Sequence, residues 1–252
     1  PSPPGRVAGA LVLGASASPS APPGAPASRP MLRARLSAAL APGLRRLGRP
    51  MARRTAYTGS AAEALAQGTA GGAKKLSEVA KVPLLMKESP VRVREIWLEQ
   101  WREKELMVAG TMAKEEYNAL NANATACPMF IVPVPRGEGF MNLVWQFQGD
   151  AFIYQTIDAF RQGNSGQVEF GWVMFTELLD SHNLALVRGT LQSGLLTRTE
   201  AAKLVRLARE AYMDDATFKW VRKFNLQARE FDYEEYMRKH RPLERWHAMD
   251  SA

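Results

Sequence analysis

The sequence predicts an α+β fold in which a largely antiparallel β-sheet of at least five strands packs against α-helices, preceded by a disordered leader. Three observations carry this expectation. Met141, Leu143, Trp145 and Phe147 alternate with Asn142, Gln146 and Gln148 at period two, the pattern of a strand. Ala201, Leu204, Val205, Ala208, Ala211 and Tyr212 repeat instead at helical spacing. The leader is marked by its charge: nine arginines and no acidic residue precede Glu63.

That asymmetry accounts for the basic character of the whole chain, whose 252 residues carry a net charge of +8. Setting the nine arginines apart leaves 24 basic against 25 acidic residues, a balance of −1. Residues 1–57 are rich in Ala, Pro, Ser, Gly and Arg and too poor in large apolar groups to offset chain entropy, so they are read as a disordered basic leader. From Met31, a candidate initiator, Leu32, Leu36, Leu40, Leu44 and Leu47 share a face of a basic helix, as in a mitochondrial transit peptide. A solvated basic tail is the plainer alternative. A secretory signal over Val7 to Ala15 is another, opposed by the Pro-rich start and by the single cysteine, Cys127. No apolar run approaches the roughly 18 residues of a spanning helix, so no membrane insertion is expected.

Residues 58–88 read as a flexible linker that accommodates a short helix, and the domain is placed at 89–240. Ser89 as cap and Pro90 at the first helical position open a helix carrying Val93, Ile96, Trp97 and Trp101 on one face. A short strand over 106–109 and a helix around 114–120 follow. The apolar run Met129 to Val134 is a strand, and Gly149-Asp150 turns the next strand into a partner over 151–156. Gly163 to Gly166 is a loop, with further strands over 168–174 and 184–190. Thr197 and Glu200 form a capping box for one helix. Asp232 and Glu235 repeat it for a helix from Tyr233 to about Lys239, stapled by Phe231 and Tyr236. Between them Phe218 to Leu226 reads as a last strand, and 241–252 as a polar C-terminal tail.

Catalytic parts are scarce. His182 follows Asp180 in a loop, and His240 and His247 lie in the polar end; all three are read as solvated, and no metal or cofactor is expected. Cys127 with His182 as its base is the only hydrolase pairing, and a buried structural thiol before Pro128 is preferred. Gly137-Glu138-Gly139 is a hairpin turn, since neither Lys-Ser/Thr nor a helix follows to hold phosphate. Asp214, Asp215, Glu230, Asp232, Glu234 and Glu235 suit caps and solvated faces. The basic and aromatic run from Lys219 to Phe224 fits strand alternation better than nucleic-acid stacking, given the neutral remainder of the chain. The residues alone therefore indicate a non-enzymatic binding module of mitochondrial destination.

The run Cys127-Pro128-Met129-Phe130-Ile131-Val132-Pro133-Val134-Pro135-Arg136, followed by Gly139-Phe140, resembles the Pro-x-Phe-x-x-Pro-x-Pro-Arg-x-x-Gly-aromatic stretch of the ATP synthase F(1) sector assembly factor 1 family. Glu95-Ile96-Trp97, Trp145 to Gly149, Phe175 to Leu178, Leu186 to Gly189, Phe224-Asn225 and Phe231 to Tyr233 resemble that family's other segments in the same order. The likeness covers about residues 89–240. It departs at Met174-Phe175, where a His-Tyr pair is usual, near His182-Asn183, where a Lys is usual, and at Ala211-Tyr212. The resemblance implies a mitochondrial matrix chaperone that binds the free β subunit of ATP synthase and prevents its aggregation until the α subunit replaces it. A permanent subunit of a mitochondrial complex is the alternative it leaves open. Neither nucleotide, metal, nucleic acid nor small-molecule substrate is implied. Candidate partner-binding residues are Phe130, Pro133, Pro135, Arg136 and Phe140. Prolines without N–H groups suit a sheet edge, where they either receive a partner or stop edge pairing. Arg136 suits an interface anchor or an internal carboxylate.

Overall fold

Six strands form one sheet: β1 (Met107–Ala113), β2 (Met129–Arg136), β3 (Gly139–Gln148), β4 (Ala151–Thr156), β5 (Phe170–Phe175) and β6 (Leu184–Leu191). The computed structural model describes residues 75–250 apart from Ser165, so the expected leader and the first part of the linker lie outside the described residues. The order across the sheet is β1-β6-β5-β4-β3-β2, and every neighbouring pair is antiparallel. β2 to β6 is thus a meander, with β1 added beside β6. Short connections make that order cheap in chain entropy, because consecutive strands pair directly. At Gly149 and Asp150 both φ angles are positive, 53° and 67°, the twist a two-residue hairpin prefers. Asp150 is held there by the Tyr117 hydroxyl, which donates to its Oδ1 at 2.6 Å.

The helices are α1 (Val82–Leu85), α2 (Pro90–Arg102), α3 (Lys114–Ala126), α4 (Ile157–Gln162), α5 (Leu179–His182), α6 (Arg198–Met213), α7 (Asp215–Leu226), α8 (Tyr233–His240) and α9 (Pro242–Ala248). One core joins the sheet to α6 and α7: the Trp145 indole donates to the Tyr212 hydroxyl at 3.1 Å, and that hydroxyl donates to the Cys127 carbonyl at 2.8 Å. A second core lies under α2, where Val93, Trp97 and Trp101 meet Val173, Phe175 and Leu186. Arg188 reaches into it, its guanidinium 5.3 Å from the Trp101 ring. Burial lowers its pKa, opposed by Glu78.

The Ser89 cap, the Thr197–Glu200 box and the staple between Phe231 and Tyr236 are all formed. At Asp232 only half of the expected box exists, since Glu235 turns instead to Lys239 at 2.6 Å. The strand expected over Phe218 to Leu226 is corrected to helix α7. Asp214 caps it by accepting from the Thr217 N–H at 3.0 Å, and Thr217, Trp220, Val221 and Phe224 are buried at helical spacing. Adjacent Trp220 and Val221 cannot both face one side of a strand, whereas a helix allows it. β1 and α3 run further than expected, to Ala113 and Ala126. Two end segments also pack. Leu76 and Leu85, from the expected linker, enter the core under α2, and the Leu76 N–H donates to Glu177 at 2.7 Å. In the expected tail, α9 buries Trp246.

Candidate functional site

The Pro-Val-Pro-Arg segment forms the end of β2, at the edge of the sheet. The Phe147 N–H donates to the Pro128 carbonyl at 2.7 Å, which fixes the ladder: even residues of β2 bond to β3, and odd residues turn their backbone outward. Met129, Ile131, Pro133 and Pro135 are the outward positions, and the two prolines have no N–H to offer there. The outward groups of Met129 are both taken by the Asn225 side chain, at 3.2 and 2.6 Å. This edge is therefore guarded by sequence at one end and by α7 at the other.

Beyond the prolines, Arg136 pairs with Glu200 at 2.5 Å and donates to the Leu195 carbonyl at 2.9 Å. Glu200 is the capping-box residue of α6, so one carboxylate ties the β2–β3 hairpin to a helix start. Next to this pair, the ends of β3, β4, β5 and β6 converge with α4 around an open cleft of about 840 Å³. Phe140, Met141, Ile157, Val168 and Leu195 give it an apolar lining. Its charged groups are Asp158, Arg161 and Glu169, and the first two approach each other to 3.9 Å. Glu169 is only 3% exposed. Its Oε2 accepts from the Ser193 hydroxyl, whose oxygen accepts in turn from the Leu195 N–H at 3.2 Å. A polar chain thus runs from Arg136 through Leu195 and Ser193 to Glu169.

The five candidate residues are divided by this geometry. Phe140 lines the cleft; Arg136 and Pro135 stand half-buried at its rim; Pro133 is buried on the edge strand. Phe130 is 2% exposed, inside an aromatic cluster with Trp145, Phe224, Phe231 and Tyr236. Glu169, Ser193 and Leu195 are marked by no motif in the sequence. Their one signal was an acidic residue at the opening of the apolar run Val168 to Met174.

Cys127 is buried, and burial raises its thiol pKa. The pairing with His182 is not made. The His182 ring nitrogens lie 2.7 Å from the Ser181 hydroxyl and 3.0 Å from the Glu88 carbonyl. Of the three histidines read as solvated, only His247 is exposed. His182 is buried in α5, and His240 stacks on Tyr236 at 5.4 Å with its pKa brought down to about 4 by burial. Among the described residues no three His, Cys, Asp or Glu side chains gather to hold a metal, and no helix is long and apolar enough to cross a membrane.

An antiparallel α+β domain with an open, mostly apolar cleft and a few fixed polar groups has the character of a recognition surface. The chain belongs to the ATP11 protein family, whose model matches residues 48–237. Among its relatives are proteins named ATP synthase mitochondrial F1 complex assembly factor 1, from Homo sapiens and Mus musculus, each 23% identical over 163 residues. The Danio rerio protein of that name is 20% identical over the same length. The matches cover 64% of this chain but 49%, 50% and 54% of those relatives, so the chain spans about half the length of the proteins it matches.

Proposed function

We propose that this chain is a non-catalytic assembly factor for the F1 sector of mitochondrial ATP synthase, acting in the mitochondrial matrix. Its partner is the free β subunit, which it holds and keeps from aggregating until the α subunit displaces it. Membership of the ATP11 family is the observation that carries this reading. The cleft supplies a physical means. Apolar walls formed by Phe140, Met141, Ile157, Val168 and Leu195 match surface on a subunit whose own interfaces are still uncovered. Holding such surface requires neither nucleotide nor metal, because burial of apolar area drives it.

The test is capture of purified β subunit by the full chain, with aggregation followed by light scattering in the absence of ATP. Capture, suppression of scattering and release on addition of α subunit are the expected results. Phe140→Ala is expected to weaken capture by about 1–3 kcal/mol as loss of an aromatic anchor. Arg136→Ala lowers both capture and melting temperature, because Arg136 is tied to Glu200 and Leu195. Stoichiometric co-purification with intact ATP synthase, or with another mitochondrial assembly, would replace the chaperone by a permanent subunit.

A further inference from the structure

Glu169 carries a charge that the fold itself uses only in part. The residue is 3% exposed, yet it lines the cleft. Its Oε2 accepts from Ser193, while Oε1 has no hydrogen-bond partner among the described residues. Among the described residues, Glu169 Oε1 is not one of the side-chain polar atoms that are both fully enclosed and without a partner. Oε1 therefore keeps accessible surface, and the wall on which Glu169 sits is the cleft. A carboxylate removed from most of its water is costly unless a donor replaces what was lost. The other charges of the cleft do not replace it: Asp158 and Arg161, on successive turns of α4, are 3.9 Å apart and offset each other. Glu169 is left as the unbalanced negative charge of the cleft.

Resting on the reading of this cleft as the partner-binding surface, we infer that it takes a basic side chain, arginine or lysine, of the partner protein, with the charged head on Glu169 Oε1. The shape of the chemistry favours such a group over a neutral one. Arginine and lysine carry a long apolar stem that lies along apolar walls while the head reaches a polar point. Phe140, Ile157 and Val168 offer such walls, and Glu169 is the polar point. Ser193 holds the carboxylate by Oε2, and Leu195 holds Ser193, so the free oxygen is pre-oriented. A charge-assisted hydrogen bond in a partly desolvated cleft is stronger than the same pair on an open surface.

The experiment compares the full chain with Glu169→Gln, Ser193→Ala and Phe140→Ala in capture of unassembled F1 β subunit. N-acetyl-arginine amide, N-acetyl-lysine amide and the uncharged N-acetyl-citrulline amide serve as competitors. Glu169→Gln keeps the shape and an oxygen for Ser193 but removes the charge. It is expected to weaken capture on the order of tenfold or more, as when one member of a desolvated charge pair is lost. Its residual capture becomes insensitive to NaCl, and its melting temperature is unchanged. The two charged amides compete with the unsubstituted chain and not with Glu169→Gln, the stronger one identifying arginine or lysine; the citrulline amide does not compete. Ser193→Ala retains the carboxylate but releases its orientation, and is expected to weaken capture less than Glu169→Gln does. If Glu169→Gln captures normally while Phe140→Ala does not, this inference fails and the cleft reading stands; if both capture normally, both fail. A loss in Ser193→Ala equal to that in Glu169→Gln, with falling melting temperatures, would assign Glu169 to the fold instead.

Discussion

Gly189 sits where the sheet leaves no room for a side chain. A Cβ at that position would lie 2.7 Å from two ring carbons of Phe170 and 3.3 Å from the Trp172 Cβ. Both neighbours are fully buried, so neither ring can swing into solvent to make space. Gly189→Ala should therefore destabilise the domain by about 1–3 kcal/mol, the usual cost of overpacking a closed core. Equilibrium unfolding in urea checks this, and an unchanged midpoint would show that the sheet relaxes locally. The requirement for glycine was not legible in the motif Leu186-Val187-Arg188-Gly189 itself, because it comes from a ring on the adjacent strand. Arg136 teaches the same lesson from the other side. Its setting beside prolines suits an interface anchor, but its carboxylate partner, Glu200, lies 64 residues away and is shown only by the fold. Charged side chains at rims serve internal pairing and recognition alike, and distance in sequence conceals which.

At the level of elements, local signals are legible in the sequence and lateral ones are not. Ser89, Thr197 and Asp232 caps and the Gly149-Asp150 turn act within a few residues, so the sequence displays them whole. The order of strands is lateral, and so is the closure of the β2 edge. Asn225 closes it from α7, the segment whose aromatic and basic alternation imitates a strand. Trp220 and Val221 are a consecutive buried pair, which a helical period accommodates and a strand period does not. The role of Asn225 gives a prediction at this scale. Its side chain accepts from the Met129 N–H and donates to the Met129 carbonyl and, at 2.8 Å, to that of Val221. Asn225→Ala leaves both outward groups of Met129 unpaired beside a buried residue, at a cost of about 2–3 kcal/mol. A lowered melting temperature and faster amide exchange at Met129 are expected; unchanged exchange there would mean that the edge is protected by packing alone.

For the whole molecule the distribution of charge separates two kinds of partner. Residues 1–74 carry ten basic groups and one acidic, whereas residues 75–252 carry 23 basic and 24 acidic. The sheet, both cores and the cleft all belong to the second part. A nucleic-acid surface needs several cations positioned together, since each phosphate contact contributes through release of a condensed counterion. Around the cleft the cations are instead engaged within the protein: Arg136 faces Glu200, and Arg161 faces Asp158. On α6, likewise, Arg209 meets Glu116 at 2.7 Å. The run Lys219 to Phe224, basic and aromatic by turns, spreads around a helix with Trp220 and Phe224 buried, so no ring is offered for a base to stack on. A chain beginning at residue 75 is therefore expected to show no salt-sensitive retention of single-stranded RNA, while the full chain shows weak binding that disappears between about 50 and 200 mM salt. Filter binding across that salt range distinguishes the two. Sub-micromolar RNA binding by the truncated chain, with a steep salt slope, would move the recognition chemistry from protein to nucleic acid. Loss of all binding on truncation would leave the neutral domain, with its apolar cleft and single unbalanced carboxylate, to a protein partner.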